Sequence, residues 1–418
     1  MPNTVVILGA GVGGLSTADA LRDLLPETDR IVLVDETFHG AQGLSLLWLL
    51  RGWRTSDEVS VTPTEKTLPG VEMLKAAVEG IDPAERTVHT STGPLTYDAL
   101  VVALGARLDT AAVPGLDEAL AAGIAAHYYT SEAAVRAHEL LRRTDSGKIA
   151  FLVTSMPYKC PAAPYEGAML AADLLTETGA RDAVTIDVHT PEPHPMPVAG
   201  PIVGAGVVEM LRGKQIGFHP GRQVERVDPD TRQILFTDGE RVDFDLLIAI
   251  PPHRAPAPVA AAGFSEAGWI PVDPHTLATG IEGVWALGDV ASITLPIGKP
   301  LPKAAVFAKG QALAVAAGIA RHLGYDVPEQ TFDGHGYCFL EIGAHPACST
   351  PETRPPGLTC RFMPQLGTRS SVRQGFVCDG FGLLGPGRGS RSSRRRAPAV
   401  PSRRLGGCVR GCSDRCIA

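Results

Sequence analysis

Cysteine is scarce in this chain where its composition is most ordinary. Only Cys160 and Cys338 occur in the first 343 of 418 residues, and six further cysteines crowd into residues 344–418. A long chain outside an oxidising compartment seldom keeps a structural disulfide, and the functional ones there are usually catalytic. Free cysteine is also among the most buried residue types, so two unrelated core thiols are the alternative. Long apolar runs are missing too. Leu46–Leu50 is of core length and no run exceeds six residues, far below the roughly 18 that span a bilayer. The start, Thr4-Val5-Val6-Ile7-Leu8-Gly9, has no charged leader and no small-residue cleavage site, so no signal peptide is expected and cytoplasmic residence is the default. With 44% apolar and 20% charged residues, the composition is that of an ordinary soluble enzyme with room for two or three domains.

Lysine is absent from residues 344–418, which hold thirteen Arg and three acids, a net charge of +10 against −17 for residues 1–343. Such a break marks a boundary. Hydrophobic periodicity ends after Ile342, and the Arg-, Gly-, Pro- and Ser-rich remainder cannot bury a core, which predicts disorder. The Arg-rich run Ser390–Arg396 lacks the interleaved aromatics of a nucleic-acid arm. Cys408, Cys412 and Cys416 match no zinc-site spacing, so no metal is expected. This composition is what an out-of-frame reading of GC-rich coding sequence produces, and the tail is expected to be foreign to the fold.

What is present begins with a short buried strand, residues 4–9, running into Gly9-Ala10-Gly11-Val12-Gly13-Gly14 and then a helix predicted from Leu15 to about Leu25. A second strand, Arg30–Val34, ends at Asp35, 21 residues past Gly14. G-x-G-x-x-G alone is weak, but between a strand and a helix, with an acid about 20 residues on, it reads as a dinucleotide cradle. The glycines admit a pyrophosphate to the helix N-terminus, and Asp35 is placed to accept from ribose hydroxyls. Tyr97–Ala106 reads as a buried strand ending in small residues, and Val284–Leu287 as a strand ending in Gly288-Asp289, an acid suited to a ribitol hydroxyl. A helix from Pro302-Lys303-Ala304-Ala305 to about Leu323 would aim its N-terminal dipole at the same ligand. Other predicted elements are a helix over Ser131–Arg143, a helix over Ile202–Arg212, two or three strands over residues 71–95, and a strand pair over residues 331–342 that carries Cys338.

Ser146–Leu175 reads as a buried strand (Ile149–Val153), a proline-broken turn and a helix, with Cys160 at the N-cap and Pro161 at the first helical position. A thiol there feels the positive end of the helix, with Lys159 beside it, and both favour thiolate. Where a second nucleotide site would need glycines, the chain has Thr154-Ser155-Met156-Pro157-Tyr158-Lys159-Cys160-Pro161. Two prolines and a tyrosine forbid the close approach of a pyrophosphate. Glu166 is expected as an exposed helix residue or a proton carrier, and His127 as a surface or satisfied residue.

GAGVGG, Asp35, YDALVVALGA and GVWALGDV together resemble the FAD-dependent pyridine nucleotide-disulfide oxidoreductase superfamily. YKCPAAPYEGAMLAADLL, LLIAIPPHRAP, PKAAVFAKGQA and GYCFLEI resemble its sulfide:quinone oxidoreductase and flavocytochrome c sulfide dehydrogenase branch, over residues 1–343. The resemblance implies an α/β fold with two Rossmann-like domains. The FAD-binding domain would be discontinuous (residues 1–110 and 266–325), the second domain (residues 111–265) would have a degenerate NAD site, and residues 326–343 would form a short C-terminal interface segment. It implies FAD held by Gly9, Ala10, Gly11, Gly13, Gly14, Asp35, Ala103, Gly105, Gly288 and Asp289, with Lys303 near the flavin's pyrimidine end. It also implies a disulfide between Cys160 and Cys338 over the isoalloxazine.

The implied activity is attack of hydrosulfide on that disulfide, leaving a persulfide on one cysteine and a thiolate on the other. Two electrons then pass to FAD and on to a quinone or a cytochrome. The quinone-reducing members carry a third cysteine upstream, where this chain has His127-Tyr128-Tyr129. No cysteine precedes Cys160, which excludes a thioether-linked flavin and leaves FAD non-covalent. A homodimer and peripheral association with the inner face of the cell membrane are compatible with the resemblance. An NAD(P)H-dependent reductase of the type II NADH dehydrogenase kind, and a non-enzymatic FAD electron-transfer subunit, remain alternatives. Resequencing the 3′ end of the gene should expose a frame change near codon 343; peptides from residues 344–418 in a native extract would show the frame to be intact.

Overall fold

Two apolar runs, Thr4–Leu8 and Gly147–Val153, each form the central strand of a five-stranded parallel sheet in the computed structural model. The structure describes residues 2–41, 43–265, 267–336, 338–343 and 358–360, without the side chains of residues 44, 338, 339 and 358–360. All of these lie within one compact unit, Met1–Gly380.

In chain order the elements that matter are β1 (Thr4–Leu8), α1 (Val12–Leu24), β2 (Arg30–Asp35), α2 (Gly43–Arg51), β3 (Glu72–Lys75), β4 (Val78–Asp82), β5 (Thr87–Thr90), β6 (Gly93–Thr96) and β7 (Ala99–Val102). Next come β8 (Ala125–Ala126), α3 (Ser131–Arg143), β9 (Gly147–Val153), α4 (Ala163–Thr178), β10 (Val184–His189), α5 (Pro201–Gly213) and β11 (Ile216–His219). The series continues with β12 (Val224–Asp228), β13 (Gln233–Phe236), β14 (Arg241–Asp243), β15 (Leu246–Ile250), β16 (Val284–Ala286), α6 (Ala305–His322), β17 (Cys338–Leu340) and β18 (Leu358–Cys360).

The first sheet runs β16-β7-β1-β2-β3, so its edge strand β16 returns from far along the chain. The second runs β8-β15-β9-β10-β11. Strands of parallel sheets are covered on both faces, which is why they read as continuous apolar runs rather than alternating ones. Val5 and Ile7 face α1 and α6, in a core with Leu21, Val315 and Ile319. Val6 and Leu8 face the other way, towards Ile81, Val88 and Val259. In the second sheet Ile149, Phe151 and Val153 pack with α3, α4 and α5, while Ala150 and Leu152 pack with β12 and β13. Each sheet is interrupted by a three-stranded antiparallel meander, β4-β5-β6 between β3 and β7 and β12-β13-β14 between β11 and β15. Residues 71–95 therefore hold β3, β4, β5 and most of β6, more strands than the two or three expected.

Two expectations need correction. Helix α1 starts at Val12, inside the glycine motif, because Gly11 already serves as its N-cap. The strand pair expected within residues 331–342 is instead β17 paired antiparallel with β18, with Cys338 opposite Cys360. A strand therefore forms at residues 358–360, within the stretch expected to be disordered; residues 344–357 and 361–418 lie outside the described residues.

Helix α2 carries a buried charge from the first sheet's side of the chain into the second core. Arg51 Nε donates to Asp173 Oδ2 at 2.6 Å and its Nη2 to Glu177 Oε2 at 2.5 Å, both acceptors lying on α4. Removing one partner of a buried pair leaves an uncompensated charge. Asp173→Ala should cost about 3–5 kcal/mol of unfolding free energy, read from the denaturant midpoint; a change below 1 kcal/mol would show that Glu177 alone suffices.

Candidate flavin and thiol site

At the C-terminal end of β1 the chain turns through Gly9 at φ +98°, where an added Cβ would lie 2.6 Å from the Ala103 carbonyl oxygen. A Cβ on Gly14 would lie 1.9 Å from the Gly9 oxygen. These two glycines close the backbone on itself. Gly11 and Gly105 are the opposite case, with no atom within 4 Å of an added Cβ. Open space over the N-terminus of α1, flanked by tightly closed backbone, is the geometry in which unpaired N–H groups can receive a diphosphate. Gly13 packs against Leu287, and Ala103 is buried in the same core.

Asp35 ends β2 as the sequence requires, and its carboxylate also organises the cradle. Oδ2 accepts from Ala10 N–H at 2.8 Å, while Oδ1 accepts from Thr37 N–H at 3.0 Å and Phe38 N–H at 2.8 Å. Gly288 N–H donates to Gln311 Oε1 at 2.8 Å, which fixes the Asp289 turn to α6. Gly288, Lys303, Ala304 and Gln311 line one small cavity. Lys303 Nζ donates to the Asp289 carbonyl and to Ala291 O (3.4 Å), and lies 3.8 Å from the Trp269 ring centroid. Burial pushes the Lys303 ammonium down to about 8, with Asp289 pulling the other way. Burial raises the Asp289 carboxyl, opposed by Lys159 and Lys303.

The thiol loop departs from its expected form. Helix α4 begins at Ala163 with Ala162 as N-cap, so Cys160 and Pro161 precede it and Pro164 takes the early proline position. Cys160 sits at φ +57°, a left-handed backbone unusual for a side-chain-bearing residue. Its N–H donates to Lys303 O at 2.8 Å, its carbonyl accepts from Ala163 N–H at 3.0 Å, and Sγ lies 4.0 Å from Glu166 Oε2. Glu166 is 0% exposed, which overturns its expected exposure. Residues Ala163–Leu175 are all buried, so this stretch of α4 has no solvent face on which a carboxylate could lie. Burial drives the Glu166 carboxyl well above its ordinary range, and the charges of Cys160 and Glu341 add to that, while the Glu341 N–H opposes it.

Cys338 lies on β17, but its side chain, and with it the Cys160–Cys338 pair, lies outside the described residues. The residues just after it are anchored beside Cys160. Glu341 N–H donates to Glu166 Oε1 at 2.8 Å, and Leu340 and Ile342 bury in the core that also holds Tyr165, Met169 and Cys160. Gly343 presses on α4 so closely that an added Cβ would lie 2.4 Å from Asp173 Cγ.

The profile of the pyridine nucleotide-disulphide oxidoreductase family matches residues 3–151 and 165–312. The chain belongs to this family. It is an FAD-dependent oxidoreductase, and the cradle between β1, Asp35 and Asp289 fits that cofactor. The two matched segments stop short of the cysteine loop on either side. The mouse mitochondrial sulfide:quinone oxidoreductase is 24% identical over 359 residues, covering 81% of this chain and 75% of that one. The Aquifex aeolicus sulfide-quinone reductase is 26% identical over 346 residues, covering 77% of each. The solved structure of the Aquifex aeolicus sulfide:quinone oxidoreductase superposes with a TM-score of 0.72 at 23% identity, covering 82% of each chain.

Within this oxidoreductase, several residues that the sequence reading passed over hold the thiol loop. Tyr128 OH donates to Ala163 O at 2.8 Å and Tyr129 OH to Lys159 O at 3.1 Å. His253 packs edge-on to Tyr129 with ring centroids 4.9 Å apart. Its Nδ1 must be the donor to Pro251 O at 2.8 Å, because a carbonyl only accepts. Burial, with Lys159 nearby, depresses this imidazole to about 3, so it is neutral at ordinary pH. His127 is half-buried and accepts from Tyr129 N–H at 3.3 Å. The only hint in the sequence was the placement of His127-Tyr128-Tyr129 where related chains carry a cysteine.

The Lys303 shift has a thermodynamic consequence. The unfolded chain keeps this proton to 10.5 and the folded chain only to about 8. Below both values the full penalty of the buried charge applies. Between them the unfolded state binds more protons, so stability rises with pH. Protein stripped of flavin should gain on the order of 3 kcal/mol across that window, measured by denaturation at several pH values, and Lys303→Met should lose the rise. An identical rise in the variant would assign it to other groups.

Proposed function

We propose that the protein is a sulfide:quinone oxidoreductase, oxidising sulfide through a Cys160–Cys338 disulfide and passing the electrons through non-covalent FAD to a quinone. The observation that carries this reading is the position of Cys160. It occupies the strand-to-helix turn where a nicotinamide nucleotide would need glycines, its N–H is tied to Lys303, and a buried carboxyl lies beside its sulfur. The anchoring of residues 340–343 on α4 supports Cys338 as its partner.

In this reading Gly9, Ala10, Gly11, Gly13, Gly14, Asp35, Ala103, Gly105, Gly288 and Asp289 bind FAD, and Lys303 supports its pyrimidine end. FAD, when bound, takes up two electrons and can release them one at a time. Hydrosulfide opens the disulfide, forming one S–S bond to the attacked cysteine and releasing the other as thiolate. Burial raises the Glu166 carboxyl well above its ordinary range, which favours the protonated acid beside Cys160 Sγ, and that acid can exchange its proton with the thiolate. Residues 1–110 and 266–325 form the flavin domain, residues 111–265 the second domain, and residues 326–343 the segment that brings Cys338. Among the described residues no helix is long and apolar enough to cross a membrane.

Anaerobic titration tests the reading. Sulfide should bleach the flavin and NADH should not; bleaching by NADH alone would favour the nicotinamide-linked alternative. Cys160→Ser should lower sulfide turnover roughly a thousandfold or more. Glu166→Gln keeps an acceptor for Glu341 N–H but carries no exchangeable acid, so turnover should fall about a hundredfold with little loss of stability.

A further inference from the structure

The loop that carries Cys160 has an empty side. A cavity of about 230 Å³ is lined by Met156, Pro157, Pro161 and Met196, with Glu192, Tyr158, Lys299 and Lys303 as its polar part. Walls that are mostly apolar offer a loop few hydrogen bonds, and the left-handed backbone of Cys160 is a conformation that persists only where its surroundings over-determine it. On the flavin side the Lys303 carbonyl holds the loop. Tyr129 OH holds it at Lys159 O, and a further contact faces the cavity.

Glu192 lies in the proline-rich stretch after β10 and is 1% exposed. A single oxygen, Oε2, accepts three hydroxyls: Tyr158 OH at 2.8 Å, Thr190 Oγ1 at 3.2 Å, and Tyr165 OH. The two tyrosines stand on either side of Cys160, one two residues before it and one in the first turn of α4. Glu192 is itself fixed, because its N–H donates to Thr190 Oγ1 at 3.2 Å and its carbonyl accepts from Gly221 N–H at 3.1 Å. Burial keeps the protons on both tyrosines, so each remains a donor.

We infer that Glu192 is the positioning residue of Cys160: one carboxylate oxygen fastens Tyr158 and Tyr165, the two shoulders of the thiol loop, and so keeps the loop from collapsing into the cavity beside it. Glu192 acts through the tyrosines and does not touch sulfur. The inference rests on Cys160 being the reactive thiol proposed above, but a readout of thiol accessibility tests the tether whether or not sulfide is the electron donor.

The test uses the FAD-loaded protein reduced with a phosphine, and follows alkylation of Cys160 by iodoacetamide in the tryptic peptide that starts after Lys159. Glu192→Gln keeps an oxygen that accepts the same hydroxyls and should alkylate at a rate within about threefold of the parent, since charge-assisted bonds are about twice as strong as neutral ones and their geometry is retained. Glu192→Ala should change the rate by about tenfold or more, as expected when bonds worth 1.4 kcal/mol or more are lost, and should lower kcat for sulfide while leaving KM nearly unchanged. If the alanine variant does not fold, Tyr158→Phe, which cuts one shoulder only, should move the rate in the same direction by a smaller factor. Parental alkylation in Glu192→Ala or, failing that, in Tyr158→Phe overturns the inference. So does a Gln variant that behaves like the alanine one, because charge rather than tethering would then be the cause.

Discussion

The hydrogen bond from Cys160 N–H to the Lys303 carbonyl, 2.8 Å long, is the constraint on which the rest of the site depends. It joins a loop that follows the second sheet to a segment that precedes the last helix of the first. Lys303 faces both ways. Its backbone oxygen holds the thiol loop, and its ammonium holds the Asp289 turn and stacks on Trp269. A bridge between Lys159 and Lys303 extends the same seam. Because backbone groups make these contacts, side-chain substitution at either end would leave the seam in place.

Charge is used sparingly around it. Lys159, Lys303 and Asp289 form a small, largely covered cluster in which Asp289 shifts both lysines and both shift it, and burial is the largest influence on all three. His253 stays neutral nearby. Buried charges hold only when paired or strongly hydrogen-bonded. Two positive groups facing one acid leave a local excess that suits an anionic flavin edge or an incoming hydrosulfide ion.

Much of the flavin half was legible in the chain. G-x-G-x-x-G, Asp35 and Gly288-Asp289 are local patterns, and parallel strands covered on both faces announce themselves as unbroken apolar runs. The thiol half was less so. Cys160 was found, but its helix was started too early, because Pro161 looked like a first-turn proline when Pro164 fills that role. Glu166 reads from the sequence as an exposed helix residue or a proton carrier, since nothing local shows that α4 is covered along Ala163–Leu175. Glu192, Tyr158 and Tyr165 meet only through tertiary contacts across loops, where spacing carries no information. The strand at residues 358–360 was missed because it is short and lies in a stretch whose composition argues against order.

Helix α4 has further significance because of that all-round cover. A helix with a solvent face can form early against one partner. One that is covered along Ala163–Leu175, acids included, draws on all its neighbours at once: α2 with Arg51, the tyrosines before α3, and the chain at residues 340–343. A chain that stops short of residues 340–343 therefore has the cysteine but lacks part of the environment that surrounds it.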